Sequence, residues 1–537
     1  MIKNKSLLIF LAIMFLAVGL RLFPFKDLTR GSIGKVDAFI LNDSLRPLSV
    51  IADSLPIDQG PLKYYLLHLF LYLGRDEFII LAIPFIFGIA SIPLLYYIGV
   101  LLFDKKTALL SCFFLSISCW HINHSLMVRS YTLYSFLVLL QVVFFLRIIK
   151  YNYFRDCLFY VLACYLAFYS FYTTIFIVFA EIIWIIFFYK KKIWFSPLEK
   201  IAGFSPSPLP YKTVSVLKLA TTWAFRRLSP LMGVSNSKKI IFSLCCFFVL
   251  ISPSVFRVYN MYVYKVDPIN VIDNTQSMIK VSWIINSFGG VKNFFPIGIL
   301  VFLLSFFLLL YQKNKNKETV FIFIIFFIPI FIYSCCLIFY KMRLVERYFL
   351  FVYPFFLLIS AAGIMSFRKN FIKIVLSFVF ILPLILFLSN NIGFNTKRYI
   401  PHDYKKRYKD YVLIASMIEK KYNEVDYVFV APWTTIYPIQ YYLDKSNKNP
   451  VKIKLYPHTK KSFFVYENDF IELYGIRDEK HELFLLKELL DRGKIMVIDI
   501  KFGKKFYLSK ASVEWLNEHS FKVSNSKEMN LYFLDKQ

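Results

Sequence analysis

Eleven apolar runs, at residues 6–24, 77–103, 107–121, 131–149, 157–172, 174–190, 240–259, 293–312, 319–339, 348–366 and 372–392, limit what this chain can fold into. Most approach the roughly 20 residues that an α-helix needs to cross a hydrocarbon layer, and 107–121 and 157–172 are short. Lipid offers no hydrogen bonds to a bare backbone, so runs of this kind fold as helices. With 58% hydrophobic residues and a mean hydropathy of +0.56, a water-soluble fold is excluded. The first run lacks a following small-residue cleavage site and is expected to be retained as a span rather than removed as a signal.

The charge pattern orients these runs. Lys and Arg number 64 against 34 Asp and Glu, and the basic clusters Lys105-Lys106, Arg147 to Arg155, Lys313 to Lys317 and Arg368-Lys369 alternate with near-neutral connections. The 190–239 loop belongs to the same set, with Lys190 to Lys192, Arg226-Arg227 and Lys238-Lys239 against a single acid, Glu199. The positive-inside rule makes that side cytoplasmic and the N-terminus with it. The net charge of +30 is then loop charge facing anionic lipid, with no nucleic-acid partner. Segments 25–76, 122–130, 260–292, 340–347 and 393–537 are expected outside. All eight cysteines fall in apolar runs, which argues against disulfides and against a thiolate metal site.

From Lys397 the pattern changes. Short β-rich runs (Tyr427 to Val430, Val451 to Tyr456, Lys494 to Ile500) alternate with amphipathic stretches such as Tyr411 to Tyr422 and Ser512 to Glu518. The expected fold class is therefore a polytopic α-helical membrane protein, residues 1–392, with a C-terminal soluble α/β domain, residues 393–537.

The first outer connection, 25–76, is too long for a turn, and long ordered loops usually carry function. It holds Asp37, Asp43, Asp53, Asp58, Lys63 and His68. Two carboxylates at membrane level can divide labour, one as a general base and one as an orienting group or metal ligand. Pro61 opens a helix-like stretch that carries Lys63, Tyr64 and His68. A lysine there also serves as a snorkelling anchor. Arg129, before Tyr131, and Lys341, Arg343 and Arg347, in the short 340–347 connection, place cations where the positive-inside rule disfavours them. Guanidinium groups fit phosphate oxygens bidentately, and pairing with Glu346 or lipid headgroups is the other use for them. His68, His121 and His124 with Asp58 offer metal-ligand chemistry that the spacing does not demand. Glu181, halfway along the sixth run, is costly in lipid and must face protein or a cavity, with no partner identifiable from sequence.

Several motifs together resemble the GT-C superfamily of membrane glycosyltransferases, and within it family 39, with the protein O-mannosyltransferases and the lipid A aminoarabinose transferases. They are Leu20-Arg21-Leu22 closing the first run, Asp37 in the first outer loop, Pro61-Leu62-Lys63-Tyr64-Tyr65-Leu66-Leu67-His68, and Arg75-Asp76-Glu77-Phe78. His121 to Tyr131, Tyr169 to Tyr172 and Glu346-Arg347-Tyr348 extend the match over about residues 1–370. The resemblance implies inverting transfer of a sugar from a polyprenyl-phosphate carrier to a lipid, glycan or protein acceptor outside the membrane. It makes Asp37 the base and matches Asp58 to the acid of a Glu-Lys-Pro-Pro pattern. Lys63, Arg129, Arg343 and Arg347 become donor-phosphate ligands, and Tyr64, His68 and Tyr131 substrate contacts. Members of family 39 differ in whether a divalent metal matters, and no cofactor is assigned.

This chain departs from the family where Ala38, Gln59, Gly60 and Met127 replace an acid, a lysine, a proline and an acid. A lipid-linked sugar flippase and an oligosaccharide polymerase or ligase are the rival readings. Paired broken spans in two halves, the mark of many transporters, are absent, and polymerases and ligases rarely place an aspartate so soon after the first span. The AT-rich codon bias implied by low Gly and Ala with high Phe, Ile, Lys and Tyr points to a bacterial plasma membrane.

Overall fold

The computed structural model describes residues 5–28, 35–51, 60–194, 236–265, 295–311, 317–340 and 346–391, and in the C-terminal part 411, 413–420, 426–431, 439–443, 454–456, 479–500, 508, 510–520, 522–525 and 529–535. Asp58, Lys341, Arg343 and most of the 190–239 loop lie outside the described residues. The chain divides into two compact units. One comprises residues 1–21, 84–126 and 130–389, and the other 22–83, 127–129 and 390–537.

The helices of the first unit follow the apolar runs. They are α1 (Lys5–Leu28), which ends in the second unit, and α5 (Glu77–Leu102), which begins there, then α6 (Lys105–Ile117), α7 (Cys119–His124), α8 (Tyr131–Tyr151), α9 (Phe154–Ser170) and α10 (Thr174–Trp194). After these come α11 (Asn236–Lys265), α12 (Phe295–Tyr311), α13 (Lys317–Tyr340), α14 (Tyr353–Ser366) and α15 (Asn370–Asn391). Each of the eleven runs falls on a helix. Among the described residues four, Lys5–Phe23, Glu77–Leu102, Tyr131–Tyr151 and Lys317–Cys336, are long and apolar enough to cross a membrane. The run 107–121 is broken at Ser118, whose extended backbone ends α6 and caps α7 by accepting a hydrogen bond from the His121 amide.

In lipid the hydrophobic effect does not press helices together, so they associate through close approach at small residues and through polar contacts. A Cβ at Gly99 on α5 would lie 2.8 Å from the backbone of Ala108 on α6. Gly363 on α14 meets Ser305 on α12 still more closely, and Ser305 Oγ donates to the Ser360 carbonyl at 3.2 Å. Larger rings fill the wider gaps. Phe145 of α8 stacks on Phe321 of α13 at 5.4 Å and meets Trp184 of α10 edge-on at 5.8 Å.

The second unit contains α2 (Lys35–Ser44), α3 (Leu48–Ile51), α4 (Leu62–Leu71) and the C-terminal elements. The latter form a five-stranded sheet in the order β2 (Lys454–Tyr456), β1 (Tyr427–Ala431), β3 (Ile495–Ile500), β5 (Met529–Leu534) and β4 (Lys522–Asn525). Pairing is parallel across β2, β1 and β3 and antiparallel from β3 to β5 and β4. Helices α16 (Glu479–Arg492) and α17 (Lys510–His519) bury Leu486, Leu489 and Leu516 against Phe429, Val497 and Tyr532. Strands β1, β2 and β3 fall on the stretches expected at 427–430, 451–456 and 494–500, of which 451–453 lies outside the described residues. Polar residues in the closing hairpin and in α16 kept those elements out of the sequence reading. Tyr441 O–H donates to the Arg75 carbonyl at 2.9 Å, a link between C-terminal residues and the end of the first connection.

The Gly363 contact involves backbone of the facing helix, which cannot swing aside. Gly363→Ala should therefore lower the thermal unfolding temperature in detergent, by an overpacking cost of about 1–3 kcal/mol. Gly19→Ala, with nothing within 4 Å of the added methyl, should leave it unchanged.

Candidate functional site

Among the described residues of the first connection, helices α2 and α3 both pack against α4. Asp37 stands in the first turn of α2, where a carboxylate complements the helix dipole, and it is only 7% exposed. Ala38, Ile40, Leu41 and Ser44 of α2 are buried with it. Helix α4 begins at Pro61, whose carbonyl accepts from the Tyr64 and Tyr65 amides. It buries Lys63, Tyr64 and Leu67.

Two carboxylate–cation pairs involve α2. Arg129 Nε lies 3.8 Å from Asp37 Oδ1, an electrostatic pairing longer than a hydrogen bond. Asp43 Oδ1 lies 3.3 Å from Arg46 Nη2. Asp43 is nearly inaccessible, and burial pushes its carboxyl up to about 7 against the opposing pull of Arg46 and Lys63. Lys63 Nζ lies 4.6 Å from the centre of the Tyr64 ring, a cation–π contact. His68 Nδ1 is 2.6 Å from the Ser44 carbonyl, which only accepts, so that nitrogen carries the proton. Its Nε2 then accepts from Tyr72 O–H at 3.2 Å. Thus His68 ties the end of α2 to α4.

The remaining sequence-expected residues belong to the first unit. Tyr131, the first residue of α8, is buried, stacked on Phe171 at 5.7 Å with His124 edge-on at 5.2 Å. Arg347 lies on the 3-10 turn Glu346–Phe349, next to Tyr348, whose ring is 6.2 Å from Tyr131.

Two features were not singled out from sequence. Asp43 passed as one loop carboxylate among several, although its i,i+3 spacing to Arg46 was a signal. Arg21 was only part of a motif. It is fully buried, with Nη1 donating to the Ala17 and Ser116 carbonyls at 2.9 and 3.4 Å, Nε to Ser125 Oγ at 3.3 Å and Nη2 to His121 Nδ1 at 2.9 Å. A guanidinium only donates, so His121 Nδ1 is an acceptor already in use. His68 is engaged at both nitrogens, whereas His121 Nε2 has no hydrogen-bond partner among the described residues. Among the described residues no three His, Cys, Asp or Glu side chains gather in metal-binding geometry.

Known proteins match part of this sequence and its fold. The family of dolichyl-phosphate-mannose-protein mannosyltransferases matches residues 58–204. No curated protein matches the sequence. Among solved structures, ArnT from Cupriavidus metallidurans bound to undecaprenyl phosphate superposes with a TM-score of 0.58 at 9% identity, over 99% of this chain and 98% of that one. Its apo form gives 0.55 at 10% identity, over 98% and 97%. The apo oligosaccharyltransferase of Archaeoglobus fulgidus gives 0.53 at 11% identity, over 93% of this chain and 70% of that one. The fold is shared with ArnT and with the archaeal oligosaccharyltransferase. This likeness extends beyond the residues whose motifs suggested a resemblance, since the C-terminal part lies within the superposed length.

Asp43 gives the first connection a pH dependence of defined sign. Its folded pKa lies above the ordinary carboxylate value, so between that value and about 7 the folded state holds a proton that the unfolded state has released. Stability is full below this window and falls as pH rises through it, by on the order of 2–4 kcal/mol in total. Thermal unfolding in detergent should show this slope in the native protein and a flatter profile in Asp43→Asn.

Proposed function

We propose that this protein is an inverting glycosyltransferase that moves a sugar from a polyprenyl-phosphate carrier to a lipid, glycan or protein acceptor at the outer face of a bacterial plasma membrane. Asp37 carries the reading. It is a buried carboxylate, held near Arg129, in the connection after the first apolar helix of a GT-C fold. Eleven crossings with a cytoplasmic N-terminus put that connection and the C-terminal α/β domain outside. The neighbour ArnT, solved with undecaprenyl phosphate, supports a polyprenyl carrier.

In this reading Asp37 takes the proton of the acceptor hydroxyl as its oxygen bonds to the anomeric carbon. The bond from that carbon to the phosphate oxygen breaks on the opposite face, and its electron pair leaves with the polyprenyl phosphate. A single displacement of this kind inverts the carbon. The departing phosphate gains a second negative charge, which Arg129 and Lys63, with Arg343 and Arg347, stabilise. Before the donor arrives, pairing with Arg129 favours the ionised form of Asp37. A phosphate that draws the guanidinium away frees the carboxylate for the acceptor's proton. Asp58 is the second carboxylate, and Tyr64, His68 and Tyr131 order the surfaces that the substrates meet.

Asp37→Asn should lower transfer from radiolabelled polyprenyl-phosphate sugar to membrane-extract acceptors by about 10²–10⁴-fold while eluting from size exclusion like the native protein. Native rates in that variant would remove Asp37 from the role of base. Arg129→Lys keeps the charge and loses the planar fork, so a smaller loss, on the order of 10–10²-fold, is expected in the same assay.

A further inference from the structure

Glu181 has no place in the proposed transfer reaction. It lies on α10, fully buried, where α8 and α9 also pack. Its Oε2 accepts from Gln141 Nε2 of α8 at 2.9 Å and from Tyr160 O–H of α9 at 2.6 Å. Gln141 and Tyr160 are fully buried as well. Two oxygens in this cluster, Glu181 Oε1 and Gln141 Oε1, have no hydrogen-bond partner among the described residues.

The neighbouring cations are committed elsewhere. Arg147 of α8 pairs with Asp156 of α9 at 3.1 Å and donates to Tyr97 O–H at 2.9 Å. Lys239 of α11 donates to the Asn152 carbonyl at 2.8 Å. Cys164 of α9, beside Tyr160, is a thiol. On α13, which packs against α10, the charged side chains are Lys317 and Glu318 at its start. Among the described residues Glu181 therefore has no cationic partner. An ionised carboxylate here would put an uncompensated charge in a buried helix interface and leave two acceptor oxygens of one hydrogen-bonded pair without a donor.

One proton removes both problems. We propose that Glu181 is a proton-binding site within the membrane helices, and that as a neutral carboxylic acid it closes a cyclic pair with the Gln141 amide. Gln141 Nε2–H donates to Glu181 Oε2, and Glu181 Oε1–H donates to Gln141 Oε1. Oε2 is then the carbonyl oxygen, whose two lone pairs serve Gln141 and Tyr160, and both orphaned oxygens are satisfied. The pair joins α8 to α10, and Tyr160 adds α9, without any net charge. A small monovalent cation between the two oxygens is the competing occupant.

Infrared spectroscopy of the full-length protein in lipid nanodiscs reads the proton directly. The native protein should show the carbonyl stretch of a protonated carboxylic acid that persists at about pH 8, above the titration of Asp43. Glu181→Gln should lose that band and Asp43→Asn should keep it. Glu181→Gln also replaces the acid with an amide able to close the same ring, so its unfolding temperature should match the native one. Should that variant fail to fold, Gln141→Leu serves instead, because loss of the amide donor should move the band to higher frequency. Two results would overturn the proposal. One is a spectrum without the band. The other is native stability that rises in sodium or potassium chloride over choline chloride, with that rise lost in Glu181→Gln, which would place a cation where we place the proton.

Discussion

A charge carried into an apolar helix bundle has to be neutralised by the side chains that surround it, because neither water nor lipid will do so. That constraint organises the first unit. Arg21 spreads its guanidinium over two carbonyls, a hydroxyl and an imidazole drawn from α1, α6, α7 and Ser125. Arg147 closes on Asp156 and Tyr97, and Glu181 rests on Gln141 and Tyr160. Each cluster fastens two or three helices at one height, and the glycine and serine contacts let the helices come close enough for the clusters to form. Rotating one helix would strand a charge, so register follows from the polar groups more than from the apolar majority.

The second unit uses charge differently. On α2, Asp37 and Asp43 stand on different faces, each near its own half-buried arginine, and Lys63 adds a buried cation on the adjoining helix. Asp43 is buried strongly enough to titrate near neutrality. Asp37 meets Arg129 at 3.8 Å. The likeness to ArnT and to the archaeal oligosaccharyltransferase, at 9–11% identity, concerns architecture. Function has to be argued from these side chains, since one fold supports many reactions.

The sequence by itself determined the helices and the general character of the tail. Every apolar run lies on a helix because hydrophobic length and backbone satisfaction in lipid are local properties, readable without knowing any neighbour. Three strands were legible for a similar reason, since β-branched and aromatic residues cluster in them. Asp37 and Arg129 were each picked out, one from its place after the first run and one as a cation where cations are disfavoured. Only the tertiary structure decided that they face each other, that His68 and His121 are engaged by Ser44 and Arg21, and that Glu181 has Gln141 and Tyr160 as partners. These facts depend on which helix faces cross and at what height, and 40 residues of separation between Gln141 and Glu181 leave no trace of that in a linear pattern.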